Sequence, residues 1–350
     1  MNFLTISETP DGFIKEVIEL AMQLRKENDR TRTDLSGKVL ISLYEKPSTR
    51  TRLSFETAIA NLGGHSIVMD FKSSQLSRGE TMADTAHVLS RYGHFISARL
   101  FKHTDIVELA RHATVPVINA LTDREHPCQA LADMQTIIEQ GKQKGKLVFI
   151  GDAANNVAIS FMLIASKYGM NVVMCGPKGH LPSVDDIEMA KKSGGTVELS
   201  TDPVHAVKDA DVIYTDVWVS MGDEAESAKR VEKMKPFQVN EELLEHAKAD
   251  CIIMHCLPAH RGQEITDAVL EGEHSVVWDQ AENRMWAQEA LILKLSEGKK
   301  EYQTREPERK KEESQEPEQK VEQPREEKKE EKTEEKHEKK ENVVRDLLGF

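Results

Sequence analysis

The chain has 350 residues, a formal net charge of −13, and 31% charged against 39% hydrophobic side chains. That length suffices for two ordinary domains, each with its own core. An acidic body exerts no general attraction on nucleic acid or an anionic membrane, so any bound anion has to be held by local positive groups.

Four cysteines, Cys128, Cys175, Cys251 and Cys256, are widely scattered. They form no disulfide framework, and the expected setting is a reducing cytoplasm. The start, MNFLTISETPDG, lacks the basic and apolar stretches of a signal peptide. No apolar run approaches the ~20 residues that span a bilayer.

Apolar positions at helical spacing predict a helix over 12–28, followed by the strand KVLISLY and a helix opened by STRTR. HSIVMDF reads as a strand, ETMADTAHVLSRY as a helix, FISARL as a strand, 104–113 as a helix, and VPVINAL as a strand. The amphipathic helix HPCQALADMQTIIEQGK then leads into a second series. There LVFIGD, NVVMCGP, TVELS, ADVIYTDVW, CIIMHCLP and SVVWDQ read as strands, with helices at 155–168, 184–193 and 240–248. NRMWAQEALILKLSEG closes the pattern as a helix. Alternation of this kind predicts two α/β units, each a parallel sheet flanked by helices, with ligands beyond the carboxyl ends of the strands.

Residues 299–342 carry 11 Lys, 3 Arg and 16 Glu, so this tail holds only about −2 of the net charge and the folded part holds the rest. Its composition cannot bury enough surface to offset chain entropy, and a disordered tail is expected. The last eight residues, VVRDLLGF (343–350), are apolar again. They read either as a short docking segment for a protein partner or as an incidental end.

The stretch EKPSTRTR (45–52) places Pro47 and the N-cap candidate Ser48 before a helix. First-turn amides, the hydroxyls of Ser48, Thr49 and Thr51, and the forks of Arg50 and Arg52 suit a phosphate. A capped helix with solvated arginines, one paired with Glu56, is the alternative. In HPCQ, His126 and Gln129 stand three apart on a helical first turn and offer a donor and an amide to one polar ligand, or else a cap and a surface amide. Arg99 ends a strand. GDAANN lacks the three glycines of a dinucleotide site, and Asn155 and Asn156 also fit as helix caps. In DVWVSMG, Asp216 can take an ammonium, while Ser220 and the loop amides can take a carboxylate. Cys251, His255, Cys256 and His260 lack standard zinc spacing, and a polar pocket fits them better than a metal.

In order, STRTR, Arg99, HPCQ, GDAANN, DVWVSMG, HCLP and ENRMW resemble the carbamoyltransferase family, and DVWVSMG with HCLP is similar to its ornithine branch. The resemblance spans about 1–298. It implies a carbamoyl phosphate-binding domain at 1–138, an ornithine-binding domain at 139–285, and a helix at 286–298 returning to the first. It implies a homotrimer in which Gln75 of SSQLSRGE reaches a neighbour's phosphate. It also implies Ser48, Thr49, Arg50, Thr51 and Arg99 around the phosphate, and His126, Gln129, Arg284 and the Leu257 carbonyl around the carbamoyl group. Asn156, with Asn155 a weaker match, joins Asp216, Ser220 and Met221 around ornithine, and Cys256 stands near the attacking nitrogen. The implied reaction yields L-citrulline and phosphate from carbamoyl phosphate and L-ornithine. Arg50, Arg99, His126 and Cys256 are the catalytic candidates. No metal or organic cofactor is needed, because phosphate is already a good leaving group. The tail after residue 298 is extra to the family pattern.

Overall fold

The computed structural model describes residues 1–219 and 227–298. The expected disordered tail, the terminal 343–350 segment, Ser220 and Met221 lie outside the described residues.

The first lobe runs α1 (Asp11–Glu27), β1 (Val39–Tyr44), α2 (Thr49–Asn61), β2 (His65–Asp70), α3 (Met82–Tyr92), β3 (Phe95–Arg99), α4 (His103–His112), β4 (Val117–Leu121) and α5 (Pro127–Glu139). Its sheet is parallel with order β2-β1-β3-β4. The second lobe runs β5 (Lys146–Ile150), α6 (Asn156–Lys167), β6 (Asn171–Cys175), α7 (Val184–Lys192), β7 (Thr196–Ser200), α8 (Pro203–Val207) and β8 (Val212–Thr215). It continues with α9 (Ser227–Met234), α10 (Glu241–Leu244), β9 (Ile252–His255), α11 (Asp267–Leu270) and α12 (Val277–Ser296). That sheet is also parallel, in the order β7-β6-β5-β8-β9.

Each sheet therefore reverses its winding once, between β1 and β3 in the first and between β5 and β8 in the second. Reversal sends the flanking loops to opposite sides and opens a crevice at the carboxyl ends of those strands. Arg99 ends β3, and the turns after β1, β5 and β8 lead into STRTR, GDAANN and DVW.

Two expectations are corrected. SVVWDQ is not a strand: Ser275 makes one parallel bridge to Ile253, and α12 begins at Val277 rather than at Asn283. Its β-branched pair, Val276 and Val277, is buried as a helix start, so packing overrides strand propensity. The helix expected at 240–248 is helical only over Glu241–Leu244, because the Lys248 amide then turns to the Ala210 carbonyl beside the sheet. α12 packs back along α1, α2 and α5, and Arg25 of α1 ties Glu139 of α5 to Asp279 of α12. Among the described residues, no helix is long and apolar enough to cross a membrane.

A ring cluster of Phe149, Phe161 and Tyr214 fills the second lobe beneath the site, with Phe161 edge-on to Tyr214 at 4.9 Å. Phe161→Ala should lower stability by ~3–5 kcal/mol, read as a fall in the urea midpoint.

The N-terminal segment is tied to the first sheet by Phe3, which pairs with Ile118, and by Glu125, which accepts from the Ile6 amide at 2.7 Å. Burial pushes the Glu125 carboxyl up to about 7 against the opposing pull of that amide and of Arg124. In the unfolded chain the same group ionises near about 4.3. Between those values the native state holds a proton that the unfolded state has lost. The stabilisation is thus complete in acid and disappears as pH rises through 7. Denaturation across pH 4–8 should show a falling stability whose slope, in Glu125→Gln, is shallower by up to ~1.4 kcal/mol per pH unit.

Candidate active site

Ser48 is the N-cap of α2, with extended backbone and a hydroxyl that accepts from the Thr51 amide at 3.2 Å. Thr49 is exposed beside it, and Thr51 is buried one turn in. The two arginines of STRTR part company here. Arg52 lies on the solvent face and pairs with Glu56 at 2.8 Å, whereas Arg50 is partly buried on the other side. One arginine is therefore a surface partner, as the alternative reading allowed, and one faces inward.

Arg99 ends β3 and Arg284 comes from α12, both nearly fully buried. One nitrogen of each lies 3.4 Å from the Thr51 hydroxyl, so this side chain stands between two guanidiniums. Arg284 also donates to Gln129 Oε1 at 2.6 Å. Among the described residues none of Arg50, Arg99 and Arg284 forms a salt bridge with a carboxylate. Burial, followed by repulsion from Arg284, brings Arg99 down to about 10. Burial also lowers Arg50 and Arg284. Crowded, desolvated positive charge of this kind is relieved by an anion.

His126 caps α5 and is 4% exposed, its backbone amide held by Ser160 Oγ at 2.8 Å. Its Nδ1 has no partner among the described residues. Burial, with Arg284 and Arg99 beside it, holds the imidazole well below its usual range. It is neutral at physiological pH and can donate without adding charge.

Asp216 follows β8 and is buried. It accepts from Cys256 Sγ at 2.9 Å, Asn155 Nδ2 at 3.0 Å and the Val217 amide at 2.8 Å. Burial raises Asp216, and burial plus the neighbouring Asp216 charge pushes the Cys256 thiol well above its usual value, so Cys256 stays protonated. Next in the chain, Leu257 has left-handed backbone (φ 57°) and precedes a cis peptide to Pro258. Its amide donates to His255 Nδ1 at 2.8 Å, and His255 Nε2 lies 3.1 Å from Glu264. Asp216, His255 and Cys256 bring potential metal-ligand atoms within 4.8 Å of one another. Both ring nitrogens of His255 are already engaged, and the Cys256–Asp216 pair is satisfied by a proton.

The two clusters are joined by hydrogen bonds: Arg284 donates to Gln129, Gln129 and Gln280 donate to Asp133, and Gln280 accepts from the His255 amide next to Cys256, the partner of Asp216. The structure thus gathers Ser48, Arg50, Thr51, Arg99, His126, Gln129 and Arg284 with Asp216, Cys256 and Leu257. It does not bring every expected residue in. Gln75 is exposed, and among the described residues no hydrogen bond ties it to the cluster. Asn156 donates across to the Thr122 carbonyl at 2.5 Å, while Asn155, the weaker sequence match, holds Asp216 and caps α6. Ser160, Asp133, Tyr214, Gln280 and Glu264 were not among the sequence candidates. They meet the site through pairs as distant as Asp133 and Gln280, so no local spacing marks them.

Residues 1–139 match the family model for the carbamoyl-P binding domain of aspartate/ornithine carbamoyltransferase, and residues 143–295 match its Asp/Orn binding domain. An anabolic ornithine carbamoyltransferase of Pyrococcus furiosus is 56% identical over 264 residues, covering 74% of this chain and 84% of the relative. An ornithine carbamoyltransferase of Anoxybacillus flavithermus is 48% identical over 302 residues, covering 84% and 96%. A solved ornithine carbamoyltransferase from Pyrococcus furiosus superposes with a TM-score of 0.81 at 50% identity, covering 85% of this chain and 98% of that one. Both halves of the site lie within the matched residues, and the chain belongs to the aspartate/ornithine carbamoyltransferase family.

Proposed function

We propose that this protein is an ornithine carbamoyltransferase, making L-citrulline and phosphate from carbamoyl phosphate and the δ-amine of L-ornithine. The observation that carries the reading is the trio Arg50, Arg99 and Arg284, without a carboxylate ion pair among the described residues, joined through Gln129, Asp133 and Gln280 to the strand end that carries Cys256 and its buried partner Asp216. An anion and an ammonium can be held side by side there.

In this reading the α2 amides, Ser48, Thr49, Thr51, Arg50 and Arg99 hold the phosphate. His126, Gln129, Arg284 and the Leu257 carbonyl hold the carbamoyl group. Its carbonyl oxygen takes donors from His126 and Arg284, and its nitrogen takes the acceptors Gln129 Oε1 and Leu257 O. Asp216 takes an ammonium of ornithine, with Asn155 or Asn156, Ser220 and Met221 completing that end. Neutral δ-nitrogen attacks the carbonyl carbon, and negative charge grows on the oxygen beneath His126 and the guanidiniums. The new C–N bond forms, the C–O bond to phosphate breaks, and the nitrogen's proton leaves with phosphate or solvent. Cys256, held as a thiol by Asp216, presents an uncharged group beside the incoming amine. Loss of phosphate favours citrulline, in keeping with the word anabolic in the Pyrococcus furiosus relative's name.

We further propose a homotrimer in which Gln75 serves a neighbour's site. Exposed Gln75, the exposed Leu53 and Ile67, and the open edge strand β2 support an interface on the first lobe.

Three measurements test this. Across ornithine, putrescine, lysine and aspartate, only ornithine should give efficient turnover; putrescine or aspartate as the preferred acceptor would overturn the assignment. Arg50→Lys should lower kcat about 10²–10³-fold with an unchanged circular dichroism spectrum. Asp216→Asn should raise the ornithine KM about 10²-fold and leave that for carbamoyl phosphate within about threefold.

A further inference from the structure

Asp133 has no part in the roles assigned above, yet it lies at the centre of the polar groups behind them. It sits on α5 one turn beyond Gln129 and is fully buried. Its Oδ1 accepts from Gln129 Nε2 at 2.8 Å and from Gln280 Nε2 at 2.7 Å, and its Oδ2 accepts from the Tyr214 hydroxyl at 3.0 Å. Three donors from α5, α12 and β8 thus converge on one carboxyl.

The consequence lies in the far ends of the two amides. Burial pushes the Asp133 carboxyl up to about 7, but with or without a proton on Oδ2 its Oδ1 only accepts, so each glutamine must turn its nitrogen towards that atom and its oxygen away. Gln129 Oε1 is left facing Arg284, from which it accepts at 2.6 Å. Gln280 Oε1 is left to accept from the His255 amide at 2.9 Å, at the end of β9. The ring of His255 accepts in turn from the Leu257 amide at 2.8 Å. Gln129 Oε1 and the Leu257 peptide therefore trace back to one oxygen atom, Asp133 Oδ1. Burial keeps water from offering either amide another partner, so this orientation is determined rather than averaged.

We propose that Asp133 is a positioning residue for the carbamoyl nitrogen. Its Oδ1 locks Gln129 directly and the Leu257 carbonyl by way of Gln280 and His255, so that two acceptors converge on the substrate's N–H groups. The inference rests on the reading that Gln129 and Leu257 hold that end of carbamoyl phosphate. The arrangement also selects. Acetyl phosphate shares the phosphate and the carbonyl but carries a methyl group in place of the amine, so it gains nothing from locked acceptors.

The experiment compares KM for carbamoyl phosphate with Ki for acetyl phosphate in the full-length protein. Asp133→Leu is close in size and removes the acceptor. It should raise KM at least about tenfold and leave Ki within about twofold, because only the first ligand uses the oriented oxygens. Asp133→Asn keeps an acceptor oxygen towards both amides and can donate to Tyr214, so it should stay within about threefold of the parent in both constants. If Asp133→Leu does not fold, Gln280→Leu cuts only the Leu257 arm and should raise KM about fivefold with Ki again steady. Equal weakening of both ligands, an unchanged KM in a folded variant, or Asp133→Asn as impaired as Asp133→Leu would overturn the proposal. Gln129→Met separates the levels. If it leaves KM unchanged, the site reading itself fails; if it raises KM while Asp133→Leu does not, only the positioning role fails.

Discussion

Arg50, Arg99 and Arg284 are brought close together inside a protein whose net charge is strongly negative. Among the described residues they have no carboxylate partners; burying like charges in that way is costly, and a fold accepts the cost only where the surroundings over-determine the positions. Here each guanidinium comes from a different element: the first turn of α2, the end of β3, and the middle of α12. Burial of Arg99 and Arg284 restricts both side chains to the positions their elements set. The anion site is therefore built before any anion arrives, which is what electrostatic catalysis requires.

The rest of the site follows from handling charge around that trio. His126 remains neutral because burial and two cations oppose its protonation. Cys256 remains a thiol because its neighbour is a buried carboxylate that accepts its proton as a hydrogen bond. The carboxyl nearest to this arrangement stands one residue removed: Asp133 acts through the amide of Gln129 and does not touch the guanidinium of Arg284. A direct ion pair would neutralise Arg284. An intervening amide accepts from Arg284 and leaves its charge available.

Contacts across the lobes bind these parts into one unit. Tyr214 of β8 reaches Asp133 of α5, Ser160 of α6 holds the His126 amide, and Asn156 holds the Thr122 carbonyl. Arg124, next to Glu125, pairs with Asp186 in the capping box of α7. At the inner end of β5, a Cβ on Gly176 would lie 2.4 Å from the Gly151 carbonyl, so only glycine lets the β6 loop pass close behind the GDAANN turn. That close passage fixes the turn that presents Asn155 to Asp216.

The sequence by itself determined the α/β class, the place of almost all strands along the chain, and the loops where chemistry sits, because hydrophobic period and turn residues are local signals. It also placed Ser48 as a cap and opened the choice between Arg50 and Arg52. Only the tertiary structure decided that Arg52 pairs with Glu56 at the surface, that Asn155 rather than Asn156 holds Asp216, and that SVVWDQ starts a helix. Asp133, Gln280 and Glu264 were invisible along the chain for the same reason. Their partners are chosen by burial, where each polar group must find a complement across the fold, and residues 147 positions apart, as Asp133 and Gln280 are, leave no periodic trace.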